Sequence, residues 1–274
     1  MNATHRYDVI ARTLRLPIVG PTTRMLRAKF GSPRLTDFDS PSVDAMPDGA
    51  FARLFVEHDG RQISKWVHYF SIYDQLLGDY RSGFTEPDGT RRPLRFLEIG
   101  VSYGGSLEIW REYFGDAAVI VGIDIDPRCA DPTRPDLDIR IGSQTDHDFL
   151  RSVVADMGGV DIVLDDGSHV ASHQRASIEA LFPRVAQGGL YICEDVHTAY
   201  SPGWLEGGYG RPDSFIGLTR GLIDDLHTAW HRRPATAPWA AGQFDAIHVH
   251  DSVVVIEKRE KGRLLHGKVG TPAW

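Results

Sequence analysis

The chain has 274 residues, of which 42% are hydrophobic and 24% charged, which suits one globular domain with an extension. A net charge of −7 argues against nucleic acid or an anionic membrane as a partner, and no apolar run is long enough to span a bilayer. With no apolar leader and only two cysteines, Cys129 and Cys193, we expect a reduced, cytoplasmic protein.

Residues 1–90 are predicted to form a helical or irregular extension with a lid. Prolines interrupt the first 50 residues repeatedly, so regular structure there is short. Residues 61–80 carry apolar side chains at three- and four-residue steps, which predicts an amphipathic helix. After the Glu-Pro-Asp-Gly turn at 86–89, we expect a second domain over residues 91–274.

From residue 95 onward, short apolar runs alternate with helical segments. Strands are predicted over residues 95–100, 118–124, 139–141, 160–165 and 189–193, and helices over 105–113, 146–156, 171–185 and 213–231. Residues 246–250 and 252–257 alternate apolar and polar side chains, which predicts an antiparallel hairpin. The predicted fold class is therefore α/β: a Rossmann-like, mostly parallel, seven-stranded sheet that ends in an antiparallel hairpin.

The first strand of this sheet runs into a glycine-rich turn that opens a helix. The turn contains Gly100, Ser102, Gly104 and Ser106, and its G-x-x-x-G-G spacing differs from the G-x-G-x-x-G of dinucleotide dehydrogenases. Glu98 precedes the first glycine, where it would stabilise a cationic ligand and repel a pyrophosphate. Without the other residues, the glycines could instead indicate only a tight structural turn.

Further polar residues follow the next strands of the predicted sheet. Asp124 ends the second strand, at a place suited to accept both hydroxyls of a ribose, and Ser143 and Gln144 follow the third, where an adenine would lie. With the glycine turn, this arrangement resembles the S-adenosylmethionine site of class I methyltransferases. The resemblance implies S-adenosylmethionine as the cofactor, with Asp165 facing its methionine amine.

Four carboxylates are expected to converge beside that site. The fourth strand ends Asp-Asp-Gly-Ser-His at 165–169, and the fifth is followed by Glu-Asp at 194–195. Packed carboxylates repel one another unless a cation joins them, and oxygen ligands favour a hard ion. We expect Mg²⁺, with Mn²⁺ or Ca²⁺ as alternatives. Helix capping at the first motif and a solvated loop at the second are the structural alternatives.

These motifs resemble those of two enzyme groups. Catechol-type O-methyltransferases have a similar pair of acidic motifs, with Lys in place of His169. The macrolide sugar O-methyltransferases of the mycinamicin type, with their cephalosporin-hydroxylase-like relatives, are closer, since D-D-G-S-H, E-D, LEIGVSYGGSLEIW and KWVHYFSIYD are all present within about residues 55–258. The resemblance implies that Asp166, Glu194 and Asp195 bind the metal and that His169 is the general base. Mycobacterial methylmannose polysaccharide O-methyltransferases are a further candidate group.

The predicted function is methyl transfer from S-adenosylmethionine to a sugar hydroxyl of a glycoside, oligosaccharide or glycosylated natural product. His173, one helical turn after His169, competes for the role of base. Residues 201–213 are glycine-rich and predict a lid, on which Tyr200, Trp204 and Tyr209 could stack against a sugar. Lys65, His68 and Tyr69 could close over the cofactor, and the solvated face of a core helix is the equal alternative for them.

Two other classes of function stay open at this point. A hydroxylase component or a non-catalytic partner could use the same fold, and a nicotinamide dehydrogenase is disfavoured by the glycine spacing. We also expect a homo-oligomer, a dimer or higher. The preference for arginine over lysine is typical of GC-rich genomes, and we expect an actinobacterial source.

Overall fold

The computed structural model describes residues 46–271, apart from residues 132 and 135. The predictions for residues 1–45 lie outside this range. The strands are β1 Phe84–Thr85, β2 Arg91–Arg92, β3 Arg95–Ile99, β4 Val119–Asp124, β5 Asp138–Ile141, β6 Val160–Asp165, β7 Val185–Cys193, β8 Phe244–His250 and β9 Val253–Lys258. The helices are α1 Ala50–Glu57, α2 Tyr69–Leu77, α3 Gly105–Phe114, α4 His147–Asp156, α5 Ala171–Leu181 and α6 Phe215–Leu226.

The central sheet confirms the predicted fold class. Its seven strands follow the order β5-β4-β3-β6-β7-β9-β8, while β1 and β2 form a separate small hairpin. Strands β3 to β7 pair in parallel, and β9 runs antiparallel to both β7 and β8. The strand order reverses beside β3, so a crevice opens at the carboxyl ends of β3, β4 and β6.

Successive residues of a strand pack into two different hydrophobic cores, one on each face of the sheet. Leu97 and Ile99 join one core, which α4, α5 and α6 cover. Phe96 and Leu164 join the other, which α1, α2 and α3 cover. This alternation explains why the strands read as continuous apolar runs, because both faces of a parallel sheet are buried.

An aromatic cluster fixes the N-terminal helices against the sheet. The ring of Trp110, on α3, is fully buried and lies 4.8–5.1 Å, centre to centre, from the rings of Phe51, Tyr73 and Phe96. These rings come from α1, α2 and β3, so their packing around Trp110 fixes these three elements relative to α3. The cluster thereby positions α2, whose residues Tyr69 and Tyr73 reach the carboxyl edge of the sheet.

The helix expected over residues 61–80 begins later than predicted. Helix α2 starts at Tyr69, and the residues before it are irregular because their polar groups bind other elements. The backbone N–H of Arg61 donates to Glu108 at 2.7 Å, and the ammonium of Lys65 donates to Asp166 at 2.6 Å. Tertiary hydrogen bonds thus replace the first two turns of the predicted helix.

Two other helices are shorter than predicted. Pro183 lies in a short 3-10 turn that ends α5 at Leu181, so β7 begins at Val185, where the helix was expected to finish. Helix α6 starts after Ser214, whose hydroxyl caps it by accepting from the N–H of Gly217 at 3.0 Å. Among the residues described, no helix is long and apolar enough to cross a bilayer.

Candidate active site

The glycine turn brings two loops into close contact at the carboxyl edge. Gly100 has a φ of +91°, in the left-handed region that favours glycine. A Cβ placed on it would lie 2.2 Å from the backbone oxygen of Asp166, in the loop after β6. Only glycine therefore allows the turn after β3 to approach that loop, and the approach brings the predicted cofactor and metal residues together.

Glu98 offers a buried, unsatisfied oxygen at this turn. Its side chain is fully buried, and Oε2 accepts from the hydroxyl of Ser106 at 2.8 Å. Oε1 has no hydrogen-bond partner among the described residues, and the ammonium of Lys65 is 3.8 Å away. Burial raises the pKa of Glu98 to about 7, although Lys65 opposes the shift. Such an oxygen fits a cationic ligand group, because an unpaired buried acceptor is costly.

Asp124 shapes the glycine turn from the end of β4. Its Oδ2 accepts from the N–H groups of Val101 and Ser102, both at 3.0 Å, and its Oδ1 accepts from the N–H of Asp126 at 2.9 Å. A carboxylate has about four lone-pair positions, so room for a ligand hydroxyl remains. The sequence did not reveal this structural role, and the ribose contact stays a prediction. Ser143 is half-buried after β5.

Asp165, at the end of β6, and Gln144, after β5, form a buried polar network. Asp165 accepts from the hydroxyl of Tyr191 at 2.8 Å and from the amide of Gln144 at 3.2 Å. The Gln144 oxygen accepts from the N–H of Ser168 at 2.8 Å. Burial raises the pKa of Asp165 to about 6. Both side chains bind the protein itself, and their roles toward the cofactor stay predictions.

Asp166, His169 and Asp195 come together next to the glycine turn. One potential ligand atom from each lies within 4.8 Å of the others. His169 Nε2 is 3.5 Å from Asp195 Oδ2, and the hydroxyl of Tyr69 donates to Asp195 Oδ1 at 2.6 Å. His169 and Asp195 have φ values of +56° and +52°, a backbone strain that clusters at functional sites.

Glu194 lies beside this group but binds other partners. Its side chain is fully buried, and it accepts hydrogen bonds from the hydroxyl of Tyr73 and, at 2.8 Å, from the ammonium of Lys65. Burial raises the pKa of Glu194 to about 8, against the opposing effect of Lys65. Its role as a metal ligand stays a prediction. The sequence analysis missed the role of Tyr73 and considered Lys65 only as a residue that closes over the cofactor, although both lie in the KWVHYFSIYD segment.

The two candidate histidines have different surroundings. His173 Nδ1 lies 2.8 Å from the hydroxyl of Ser168, so a hydrogen bond within the protein already engages it. The ring of His169 lies 6.0 Å from that of Trp204 in the predicted lid. The geometry thus favours His169 over His173 as the residue that faces the acidic group.

The predicted lid is anchored to the start of α5. Glu206 accepts from the backbone N–H of Ser172 at 2.8 Å and from its hydroxyl at 3.0 Å. Tyr200 is 41% exposed and Tyr209 is 77% exposed, with their ring centres 6.0 Å apart. These rings are accessible on the surface, and their stacking on a sugar stays a prediction.

The residues fit both groups that the resemblance implies. The free oxygen of Glu98 suits an amine, and the oxygen-rich donor set of Asp166, Asp195 and neighbouring Glu194 suits Mg²⁺ or Mn²⁺. The site lies at the strand-order reversal, where ligands bind in open α/β sheets.

Comparison with known proteins agrees with this geometry. Residues 97–196 match the family model described as a methyltransferase domain. The chain is 36% identical over 222 residues to the 8-demethyl-8-(2-methoxy-alpha-L-rhamnosyl)-tetracenomycin-C 3'-O-methyltransferase of Streptomyces olivaceus, which covers 77% of this chain and 54% of that protein. It is also 36% identical over 227 residues to the mycinamicin VI 2''-O-methyltransferase of Micromonospora griseorubida, covering 76% and 51%.

A solved structure is similar as well. The MycE methyltransferase from the mycinamycin biosynthetic pathway, in complex with Mg, SAH and mycinamycin VI, superposes with a TM-score of 0.63 at 31% identity, covering 84% of this chain and 58% of that one. The chain thus spans about half the length of the curated relatives it matches. Residues 97–196 thus match a methyltransferase domain, and over about three quarters of its length the chain is similar to sugar O-methyltransferases.

Proposed function

We propose that this protein transfers the methyl group of S-adenosylmethionine to a sugar hydroxyl of a glycosylated natural product, with the help of a divalent cation. One observation carries the proposal: Asp166, His169 and Asp195 converge beside the free buried oxygen of Glu98. The named activities of the similar proteins, which methylate sugars of tetracenomycin and mycinamicin, support the same substrate class.

Glu98 and Asp124 hold the cofactor in this proposal. The free Oε1 of Glu98 accepts from the amine of the methionine group, and the remaining lone pair of Asp124 accepts from the ribose. The glycine turn keeps the backbone close to both ligand groups. Much of the rate then comes from positioning, because methyl transfer is a single in-line displacement.

His169 takes the proton of the acceptor hydroxyl on Nε2, the nitrogen that faces Asp195. The carboxylate at 3.5 Å stabilises the imidazolium that forms. Tyr69, through its hydrogen bond to Asp195, keeps that carboxylate in place. A cation held by Asp166, Asp195 and Glu194 would supply positive charge that orients two acceptor oxygens and offsets the developing negative charge.

The presence of Asp166, His169 and Asp195 in one site argues against the alternative function of a non-catalytic partner or a hydroxylase component. A binding module has no need for a histidine held beside two carboxylates by a strained backbone. Cytoplasmic location, an actinobacterial source, a homo-oligomeric state and a polysaccharide as acceptor stay predictions from the sequence.

The test is a methyl-transfer assay with matched acceptors. Purified protein is incubated with labelled S-adenosylmethionine, Mg²⁺ and a panel of glycosylated macrolides and aromatic polyketides, each beside its own aglycone. We expect label in the sugar of at least one glycoside and in none of the aglycones. His169→Ala should abolish most of the transfer, whereas the control His173→Ala should keep more than about half of it.

Two results would contradict the proposal. Transfer to an aglycone would show that the acceptor is not the sugar. Full activity of His169→Ala together with loss of activity in His173→Ala would move the base to the other histidine.

A further inference from the structure

Lys65 fills the space between the proposed cofactor and metal sites. Its side chain is only 3% exposed, and its ammonium donates to Asp166 Oδ2 at 2.6 Å and to Glu194 Oε2 at 2.8 Å. Oε1 of Glu98 lies 3.8 Å away. One buried cation therefore contacts three buried or half-buried carboxylates, two of which are proposed to bind the metal.

Without a cation nearby, these three carboxylates would repel one another. Glu98 and Glu194 are fully buried, and Asp166 is 19% exposed at its side chain. Like charges at such distances repel strongly where water is excluded. Lys65 supplies the opposite charge, which offsets the repulsion between Asp166 and Glu194.

The same contacts oppose metal binding. A divalent cation that binds Asp166 and Glu194 would stand next to the Lys65 ammonium, and these like charges would repel. Lys65 also engages one oxygen on each of the two carboxylates that would hold the cation. Lysine has a flexible four-carbon stem, so its ammonium can move without a change in the backbone.

We propose that Lys65 is a built-in cation that holds Asp166 and Glu194 together in the metal-free protein and leaves them when a divalent cation binds. This inference rests on the proposed function, because it concerns the same metal site. Glu98 Oε1 is 3.8 Å from the ammonium, and a carboxylate oxygen with two lone pairs can accept from both Lys65 and the cofactor amine. The methionine end of the cofactor carries an amine and a carboxylate, which can pair with Glu98 and Lys65 at once.

The test measures Mn²⁺ binding to the full chain by electron paramagnetic resonance of the free ion. Lys65→Met removes the charge and keeps an unbranched side chain of similar length. We expect it to bind Mn²⁺ about tenfold or more tightly than the wild type, because the internal competitor is gone. Without metal, its melting temperature should be lower than that of the wild type, and saturating Mg²⁺ should reduce this difference.

Lys258 provides a matched control. It is also a buried lysine, 3% exposed, but its ammonium donates to the backbone oxygen of Phe182 at 3.2 Å, away from the carboxylate group. Lys258→Met should therefore lose stability and leave Mn²⁺ affinity within about twofold. If Lys65→Met does not fold, Lys65→Gln removes the charge while keeping a hydrogen-bond donor, and it should also bind Mn²⁺ more tightly.

Equal or weaker Mn²⁺ binding by the Lys65 variants would overturn the inference, since it would mean that Lys65 positions the ligands or does not compete. This result leaves the proposed function intact as long as the wild type binds Mn²⁺. A wild-type protein that binds no Mn²⁺ at millimolar concentration would instead refute the metal requirement, and the inference with it.

Discussion

The role of Asp124 in shaping the glycine turn leads to a prediction about stability as well as binding. Asp124→Asn keeps the size of the side chain and removes its charge. The native carboxylate accepts three backbone hydrogen bonds, two at Oδ2 and one at Oδ1. An amide has a single oxygen, so its NH₂ group must face at least one of these N–H donors. The variant therefore loses one or two charge-assisted hydrogen bonds.

The expected cost follows from the number of bonds lost. A hydrogen bond to a charged group contributes about 1.5–3 kcal/mol, so we expect a loss of about 2 kcal/mol in the free energy of unfolding. For a domain of this size, that loss lowers the melting temperature by about 4–8 °C. Because the turn also carries the proposed cofactor site, the affinity for S-adenosylhomocysteine should fall by about tenfold or more.

Differential scanning calorimetry without ligand and titration calorimetry with S-adenosylhomocysteine measure the two effects. Asp138→Asn is the control, since Asp138 is exposed on β5 and pairs with Arg140 at the surface. It should change the free energy of unfolding by less than about 0.5 kcal/mol. An Asp124→Asn protein that melts like the wild type would refute the structural role, and unchanged affinity would refute the ribose contact.

Three further predictions concern other parts of the domain. His169→Ala should lower kcat by about 10²–10⁴-fold and leave S-adenosylhomocysteine affinity unchanged, as judged by turnover and calorimetry; a smaller effect on kcat would argue against a general base. Gly100→Ala should destabilise the protein by about 2 kcal/mol or more in urea unfolding, because its Cβ would lie 2.2 Å from a backbone oxygen; an unchanged midpoint would contradict the close approach. Although burial opposes it, Arg92 and Arg95 hold the pKa of buried Asp161 below 3.8. The stabilisation by Asp161 should therefore be complete above about pH 5 and lost as the pH falls through its folded pKa. The difference in the free energy of unfolding between the wild type and Asp161→Asn should accordingly disappear in acid. A difference that does not change with pH would contradict the ion pairs.

The sequence predicts the sheet well because its strands are marked by local patterns. The strands that contain Leu97 and Val163 contribute side chains to both hydrophobic cores. A parallel sheet is buried on both faces, so each of its strands is a continuous apolar run that a short stretch of sequence reveals. The convergence of Asp166 and Asp195 also follows, since both come after parallel strands whose carboxyl ends share one edge. These predictions need only strand direction and order.

The sequence does not predict contacts that join distant parts of the chain. Lys65 is 101 residues from Asp166 and 129 from Glu194, so no local pattern could show that its ammonium lies between their carboxylates. The same contacts explain the error in the helix expected over residues 61–80. Its apolar spacing was correct, but tertiary hydrogen bonds outweigh the helical preference of the first eight residues.

Methyl transfer to a sugar with a requirement for a divalent cation can be measured in one experiment. Transfer from labelled S-adenosylmethionine to a glycosylated acceptor is followed in the presence of Mg²⁺, then after EDTA, and then after Mg²⁺ is restored. We predict that EDTA abolishes the transfer and that added Mg²⁺ restores it. Transfer that continues unchanged in EDTA would refute the metal requirement, because Asp166, Glu194 and Asp195 would then have no metal to hold.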